Sequence, residues 1–250
     1  MFQLLNPQAK HYLLIIAAMC TSLTMLKGQL YHSDLDRTFQ LDVQVSFQYI
    51  LHLPENLELT AEGKFPLILY LHGNLDSGSN MEALKSSGPP RIVNGQPKFP
   101  FAVLAPLCPD GEVWNIQHLD LLLDYMIDKY PIDPSRIYLT GVDMGAWTTW
   151  EWSWNRPRKF AAIAPISGWG ELLWLSRLKE LPVWVFHGAL DKEVPVSRST
   201  ELYAGLKDLK NVNAKLTVFS TATHNCSERV YNDEALYEWF LSHAATLETE

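Results

Sequence analysis

The sequence predicts an α/β fold, with a doubly wound, mostly parallel sheet that carries antiparallel strands at its N-terminal edge. Short and continuously apolar runs recur along the chain, as expected for strands that are buried on both faces. Amphipathic helical patterns separate these runs, which is typical of parallel sheets. The 250 residues are 47% hydrophobic and 19% charged, an ordinary composition for one large globular domain.

The predicted elements follow one another in a regular order. Alternating residues between 39 and 53, rich in Val, Phe, Tyr and Ile, predict the antiparallel edge strands. Buried parallel strands are predicted at 66–71, 101–105, 137–140, 160–166, 183–186 and around 218–219. Helices are predicted at about 119–130, 145–155, 199–209 and 234–242.

The amino terminus has the pattern of a targeting segment. Lys10 and His11 precede an apolar run over residues 12–26, which Lys27 closes. Because the run is shorter than the roughly 20 residues that span a hydrocarbon core, we interpret residues 1–28 as a signal peptide, with an N-terminal anchor or a core-packed first helix as alternatives. We therefore expect a secreted or periplasmic protein with a single domain over residues 29–250, and membrane association only through residues 12–26.

Charge and cysteine content argue against several classes of partner. The net charge is −8, and no stretch concentrates Lys and Arg with aromatics between them, so a nucleic-acid partner is not expected. Cys20, Cys108 and Cys226 lack the paired spacing of a zinc site, so we expect neither a metal nor a cofactor. In an oxidising compartment Cys108 and Cys226 form either a disulfide or two separately buried thiols.

The segment after residue 140 is the most informative part of the chain. The predicted strand at 137–140 runs into Gly141-Val142-Asp143-Met144-Gly145, and a helical pattern follows. Small residues two positions before and two after residue 143 permit a strained turn that lifts residue 143 above the edge of the sheet. This is the pattern of a nucleophile elbow, with aspartate where serine is usual.

Two longer stretches extend the similarity beyond this turn. Residues 132–141, IDPSRIYLTG, and 160–168, FAAIAPISG, resemble the α/β-hydrolase superfamily. The branch they resemble comprises prolyl-oligopeptidase-like and feruloyl-esterase-like secreted esterases and "predicted peptidases". The similarity runs from about residue 65 to residue 243 and includes the loops at 71–74, 186–195 and 223–225. It implies an α/β-hydrolase fold without a large cap domain, acting on a small-molecule or polysaccharide-linked ester, or on a peptide.

The resemblance also implies roles for individual residues. Asp143, Asp191 and His224 fall at the triad positions in the order nucleophile, acid, histidine. His224 would move the nucleophile's proton, and Asp191 would orient the imidazole. The oxyanion hole would consist of the backbone N–H of Met144 and one from Gly73 or Asn74. His72 and His187 are expected to support their loops rather than to react.

An aspartate at position 143 alters the expected chemistry. Attack on an ester would form a mixed anhydride whose carboxylate has a pKa of about 4, so the intermediate would collapse backwards. Ordinary acyl transfer is therefore expected to be weak or absent, and the Asp143 carboxylate is expected to cap the following helix and pair with protonated His224. The alternatives are a non-catalytic carbohydrate- or ligand-binding protein, water activation by Asp143 and His224, and displacement at a saturated carbon, as in dehalogenases and epoxide hydrolases. The displacement reaction is less favoured because residues 169–180 are too few for a cap domain.

Tryptophans surround the predicted site. Trp147, Trp150 and Trp154 share one face of the helix after residue 143, and core packing explains that spacing. Trp114, Trp169 and Trp174 follow predicted strands at the edge where loops approach a substrate. We therefore predict that these three bind substrate, with packing under a loop as the alternative.

Overall fold

The computed structural model describes residues 45–54, 63–73, 80–94, 96 and 99–246. These residues all fall in one compact unit, Val45–Glu250. The predicted targeting segment at residues 1–28, and Asn74, lie outside the described residues. Within the described ranges, each helix is too short or too polar to cross a membrane.

The described part of the chain forms a seven-stranded sheet in the order β1-β3-β2-β4-β5-β6-β7. Only β1, at the edge, is antiparallel to its neighbour β3, and the other pairs are parallel. The predicted fold class is therefore confirmed. The strands are β1 (Tyr49–His52), β2 (Phe65–Leu71), β3 (Ala102–Pro106), β4 (Ile132–Val142), β5 (Ala162–Ile166), β6 (Val183–Gly188) and β7 (Ala214–Phe219).

The helices lie between and after these strands. They are α1 (Met81–Lys85), α2 (Gly88–Val93), α3 (Ile116–Lys129), α4 (Met144–Asn155), α5 (Ser197–Asp208), α6 (Ser227–Tyr231) and α7 (Glu234–Leu241), with a 3₁₀ helix at Leu172–Arg177. The long helices α3, α4, α5 and α7 match the predicted ones to within three residues at each end. The short helices were not predicted, because five or six residues do not show a helical period.

Two hydrophobic cores cover the two faces of the sheet. Because successive side chains of a strand point to opposite faces, Leu67, Leu69 and Leu71 of β2 pack in one core, and Ile68 and Tyr70 pack in the other. Helices α3, α4 and α5 cover the first face, and α2, α6 and α7 cover the second. Burial on both faces is the physical reason for the continuous apolar runs in the sequence.

The order of the strands determines where a site can form. From β2 the chain moves to β3 on one side, and it then returns to β4 on the other side of β2. In open α/β sheets such a reversal leaves a crevice at the carboxyl ends of the strands, where ligands bind. The turn after β4 lies at this crevice.

The start of α4 packs directly on the backbone of β2. A Cβ atom added at Gly145 would lie 2.0 Å from the carbonyl oxygen of Leu71. We expect Gly145→Ala to lower the free energy of unfolding by at least about 3 kcal/mol, because neither backbone can move without breaking the sheet. Urea denaturation of the purified variant measures this change.

Gly205→Ala is the matched control, since Gly205 also lies inside a helix, α5. Its added Cβ would lie 2.6 Å from Cδ1 of Leu175, the end of a flexible side chain, and alanine favours helix by about 1 kcal/mol. We expect this variant to stay within about 1 kcal/mol of the parent. Equal destabilisation of the two variants would contradict a specific requirement for glycine at position 145.

Candidate active site

Asp143 occupies a strained turn between β4 and α4. Its φ of 54° and ψ of −115° lie in a region that residues with a side chain rarely adopt. The Asp143 N–H donates to the carbonyl of Ile166 at 3.1 Å, which joins the turn to the end of β5. The turn has the conformation that the spacing of Gly141 and Gly145 predicts, and it holds the side chain at the carboxyl edge of the sheet.

The side chain of Asp143 does not cap the helix, contrary to the sequence-based prediction. It makes no hydrogen bond to the N–H groups at the start of α4. An N-cap residue normally has extended backbone angles, and the positive φ of Asp143 instead turns its Cα–Cβ bond away from the helix. The carboxylate is therefore presented to the loops above the sheet.

His224 lies between the two predicted carboxylates. Its Nδ1 is 2.8 Å from Oδ2 of Asp191, a hydrogen bond in which the imidazole donates. Its Nε2 is 3.8 Å from Oδ1 of Asp143, which is too long for a hydrogen bond and close enough for an ion pair with a protonated ring. Asp191 follows β6 and His224 follows β7, so three separate loops bring the predicted triad residues together.

The two carboxylates differ in exposure. The side chain of Asp191 is fully buried, whereas that of Asp143 retains 20% of its exposure and His224 retains 6%. Burial by itself raises the pKa of Asp191. The hydrogen bonds from the Val194 amide, His224 and the Glu193 amide outweigh this effect, so the pKa of Asp191 lies below its ordinary value. Asp191 is thus a permanently ionised partner for the imidazole at neutral pH.

Two predicted oxyanion-hole residues flank Asp143. Met144 is the first residue of α4, so its N–H has no acceptor within the helix. Gly73 follows β2, and a Cβ atom added to it would lie 3.1 Å from Cβ and 3.6 Å from Oδ2 of Asp143. The backbone of Gly73 therefore runs directly beside the carboxylate, where an amide donor can serve an oxyanion.

His72 supports this loop, as predicted. Its Nε2 accepts the N–H of Cys108 at 2.9 Å, so the ring proton lies on Nδ1, which donates to the carbonyl of Gly73 at 2.9 Å. The indole Nε1 of Trp114 donates to the carbonyl of His72 at 3.2 Å. The buried ring of His72 thus ties the Gly73 segment to the end of β3.

The tryptophans divide into packed and accessible rings. Trp114 and Trp174 are 7% and 8% exposed, so their rings have little surface to offer a ligand. Trp174 packs against Trp147 and Trp154, with ring centroids 4.9 Å and 5.8 Å away. Trp169 is half-buried beside Trp147, at 5.4 Å. Substrate contact by Trp169 stays a prediction.

Ser167 supports the histidine loop, and sequence reasoning did not single it out. It follows β5 with a φ of 49°, is fully buried, and donates from Oγ to the carbonyl of His224 at 2.8 Å. Ser167 comes directly after the buried strand β5, just as Asp143 comes after β4. This position in the sequence could have indicated a role at the carboxyl edge of the sheet. Ser167 thereby holds the backbone of His224 against the sheet.

The cysteines within the described residues are free thiols. Cys108 and Cys226 are both buried and unpaired with each other, which decides between the two states that the sequence left open. Burial and the Glu112 carboxylate raise the pKa of Cys108 to about 11, and burial raises the pKa of Cys226. Both thiols are protonated at neutral pH and are poor nucleophiles.

The described ranges also contain no cluster of His, Cys, Asp and Glu that could hold a metal ion.

The hydrogen bonds to Asp191 predict a pH-dependent contribution to stability. Because the folded-state pKa is below the ordinary value of 3.8, ionised Asp191 stabilises the fold above about pH 4, and this contribution is lost as the pH falls through the folded-state pKa. We expect Asp191→Asn to lower the free energy of unfolding at pH 7, and the difference from the parent to shrink below about pH 4. Urea denaturation at a series of pH values measures it.

Asp110→Asn, at an exposed position, is the control and should change the free energy of unfolding by less than about 0.5 kcal/mol at pH 7. If the difference in free energy of unfolding between the parent and Asp191→Asn stays constant down to pH 2, the ionised carboxylate adds no stability.

Comparison with known proteins agrees with the fold. Residues 147–246, which include Asp191 and His224, match the prolyl oligopeptidase family. No curated protein matches the chain significantly by sequence. A thermostable esterase of known structure superposes with a TM-score of 0.65 at 26% identity, over 80% of this chain. The alignment covers 60% of that esterase, so this chain spans less than two thirds of its length.

Two further structures have the same architecture. Esterase PE8 superposes with a TM-score of 0.56 at 22% identity, covering 78% of this chain and 98% of its own. The acylaminoacyl peptidase of Pyrococcus horikoshii superposes with a TM-score of 0.62 at 14% identity, covering 83% of this chain and 41% of its own. The chain therefore has the α/β-hydrolase fold of esterases and peptidases, and the segment that contains Asp191 and His224 matches the prolyl oligopeptidase family.

Proposed function

We propose that this protein is an esterase-type α/β-hydrolase in which Asp143 stands at the nucleophile position, and that its ordinary acyl-transfer activity is weak or absent. One observation carries the proposal. The Asp143 carboxylate projects from a strained elbow toward His224, whose other ring nitrogen is hydrogen-bonded to buried Asp191. The substrate class that fits is a small ester, in keeping with the esterases that share the fold.

Weak acyl transfer follows from the chemistry of a carboxylate. Attack by Asp143 on an ester would form an anhydride, and the carboxylate would leave again in preference to an alkoxide because its conjugate acid is far stronger. The Asp143 charge also opposes the negative charge that develops on the carbonyl oxygen beside the Met144 and Gly73 amides. A carboxylate nucleophile, unlike a hydroxyl, needs no general base, so His224 loses that task.

The remaining parts of an acyl-transfer site support the proposal. The imidazole is oriented by Asp191, the N–H of Met144 is at the start of α4, and Gly73 lies beside the Asp143 side chain. Backbone donors do not depend on the identity of residue 143. A serine hydroxyl at position 143 would therefore lie near a base, His224, and near two candidate oxyanion donors, the N–H groups of Met144 and Gly73.

A second candidate function is displacement at a saturated carbon. It is favoured by the finding that the Asp143 carboxylate is free of a capping role and faces the imidazole, as a carboxylate nucleophile requires. In that reaction Asp143 would form an alkyl ester, and His224 would activate the water that hydrolyses it. Against it, residues 169–180 contain only the short 3₁₀ helix, so this segment supplies no cap domain.

We expect Asp143→Ser to hydrolyse short activated aryl esters at least about 1,000-fold faster than the parent. His224 can deprotonate the serine hydroxyl, the aryl alcohol leaves, and water activated by His224 then hydrolyses the ester of the acyl-enzyme. Release of the aryl alcohol, followed by absorbance, measures the rate. The double variant with His224→Ala should lose this gain.

Asp143→Ala is the matched control, since it removes the carboxylate without supplying a nucleophile. It should be as inactive as the parent on these esters. Turnover by the parent that disappears in His224→Ala would contradict weak acyl transfer. Incorporation of ¹⁸O from labelled water into Asp143 during turnover of an alkyl halide or epoxide would favour the displacement reaction.

A further inference from the structure

A cavity opens where the start of α3 meets the last turns of α4. Its volume is about 310 Å³, which is at the lower end of the range for small-ligand sites. Asn115, the N-cap of α3, and Gln117 line it from one side, and Glu151, Trp154 and Asn155 line it from α4. Amide and carboxylate side chains thus surround an indole ring.

This cavity is separate from the candidate active site. Helix α4 has 12 residues, which at about 1.5 Å each make it about 18 Å long. Asp143 lies directly before the first residue of the helix, and Trp154 lies in its last turn. The cavity is therefore roughly one helix length away from the Asp143 carboxylate.

The indole of Trp154 lies between the 3₁₀ helix and the cavity. Trp174 of the 3₁₀ helix stacks on it, with the ring centroids 5.8 Å apart and the ring planes inclined by 21°. The guanidinium carbon of Arg177, from the same helix, is 6.0 Å from the ring centroid. Trp154 is nevertheless only half-buried. The packing therefore fixes the orientation of the ring while part of its surface stays open to the cavity.

The polar side chains of the cavity keep unused hydrogen-bonding capacity. Oδ1 of Asn115 accepts the N–H of His118 at 3.1 Å, which leaves the Nδ2 hydrogens as donors. Nδ2 of Asn155 donates to the carbonyl of Glu151 at 3.0 Å, which leaves Oδ1 as an acceptor. Within the described part of the chain, the side chains of Glu151 and Gln117 make no hydrogen bond or ion pair. The cavity therefore offers both donors and acceptors beside an apolar ring.

The charges around the cavity favour a neutral ligand. Glu151 repels an anion, and the guanidinium of Arg156, which lines the same cavity, offsets the attraction of Glu151 for a cation. Arg156 is itself paired with Asp120, with 2.7 Å between Nη2 and Oδ2. Its charge is therefore already balanced and does not require an anionic ligand.

A sugar ring has the chemistry that this cavity fits. Its hydroxyl groups both donate and accept hydrogen bonds, and its C–H groups form an apolar face that packs on an aromatic ring. We propose that the cavity binds neutral carbohydrate, with Trp154 packed against a sugar ring and with Glu151, Asn115 and Gln117 bound to its hydroxyl groups. This inference goes beyond the proposed function and does not rest on it, because a sugar binds here whether or not Asp143 reacts.

Isothermal titration calorimetry of the unaltered protein tests the proposal. The probes are three neutral oligosaccharides with different sugar units, cellohexaose, xylohexaose and mannohexaose. We expect at least one of them to bind with a Kd below about 1 mM. Failure of all three to bind at this level would overturn the proposal.

Substitutions then locate the bound sugar. We expect Trp154→Ala to raise Kd at least about tenfold, because the ring that packs on the sugar is lost. Trp169→Ala, at the candidate active site, is the matched control and should leave Kd unchanged. Binding that is lost in Trp169→Ala and kept in Trp154→Ala would place the sugar at the active site and overturn the proposal.

A second pair of variants keeps the test valid if Trp154→Ala does not fold. Glu151→Ala should raise Kd at least about fivefold, because a charged hydrogen-bond acceptor is removed. Glu201→Ala, at an exposed position of α5, is its control and should leave Kd unchanged. Equal Kd values in Glu151→Ala and Glu201→Ala would overturn the assignment of the cavity.

Discussion

The candidate site depends on the close contact between the start of α4 and the end of β2. Gly145 lies so near the Leu71 carbonyl that a single added carbon would overlap it. The chain reverses sharply between β4 and α4 to make this contact, and Asp143 has a positive φ in the turn. The strain is maintained by the packed sheet around it, and its result is a side chain presented at the edge where three other loops converge.

The environments of the two carboxylates separate their roles. Asp191 is buried and accepts hydrogen bonds through both oxygens. These bonds favour the ionised form, fix the rotation of the carboxylate and orient the imidazole of His224. Asp143 is partly exposed and lies beyond hydrogen-bond distance from the same imidazole. Asp143 thus keeps part of its side-chain surface exposed at the site, whereas the side chain of Asp191 is fully buried. The buried ring of His72 supports the Gly73 segment beside Asp143.

Much of the architecture could be predicted because its causes are local. A strand buried on both faces must be apolar throughout, and this made β2 and the parallel strands after it recognisable. Amphipathic helices of eight or more residues show their period, whereas α1, α2 and α6 are too short to do so. The capping role expected for Asp143 was wrong because side-chain direction depends on the sign of φ, which the packing of Gly145 imposes from outside the turn.

The sequence by itself determined the α/β class and the turn at Asp143, since apolar periodicity and glycine spacing express backbone requirements directly. The predicted positions of Asp191 and His224 came from the resemblance to α/β-hydrolases. Tertiary structure alone decided that Asp191 binds His224 through one oxygen and two backbone amides through the other, that Ser167 holds the histidine loop, and that Trp114 and Trp174 are buried while Trp169 is not. Those contacts join residues far apart in the chain. These contacts depend on distances of a few ångströms between loops, and a local sequence pattern contains no information about such distances.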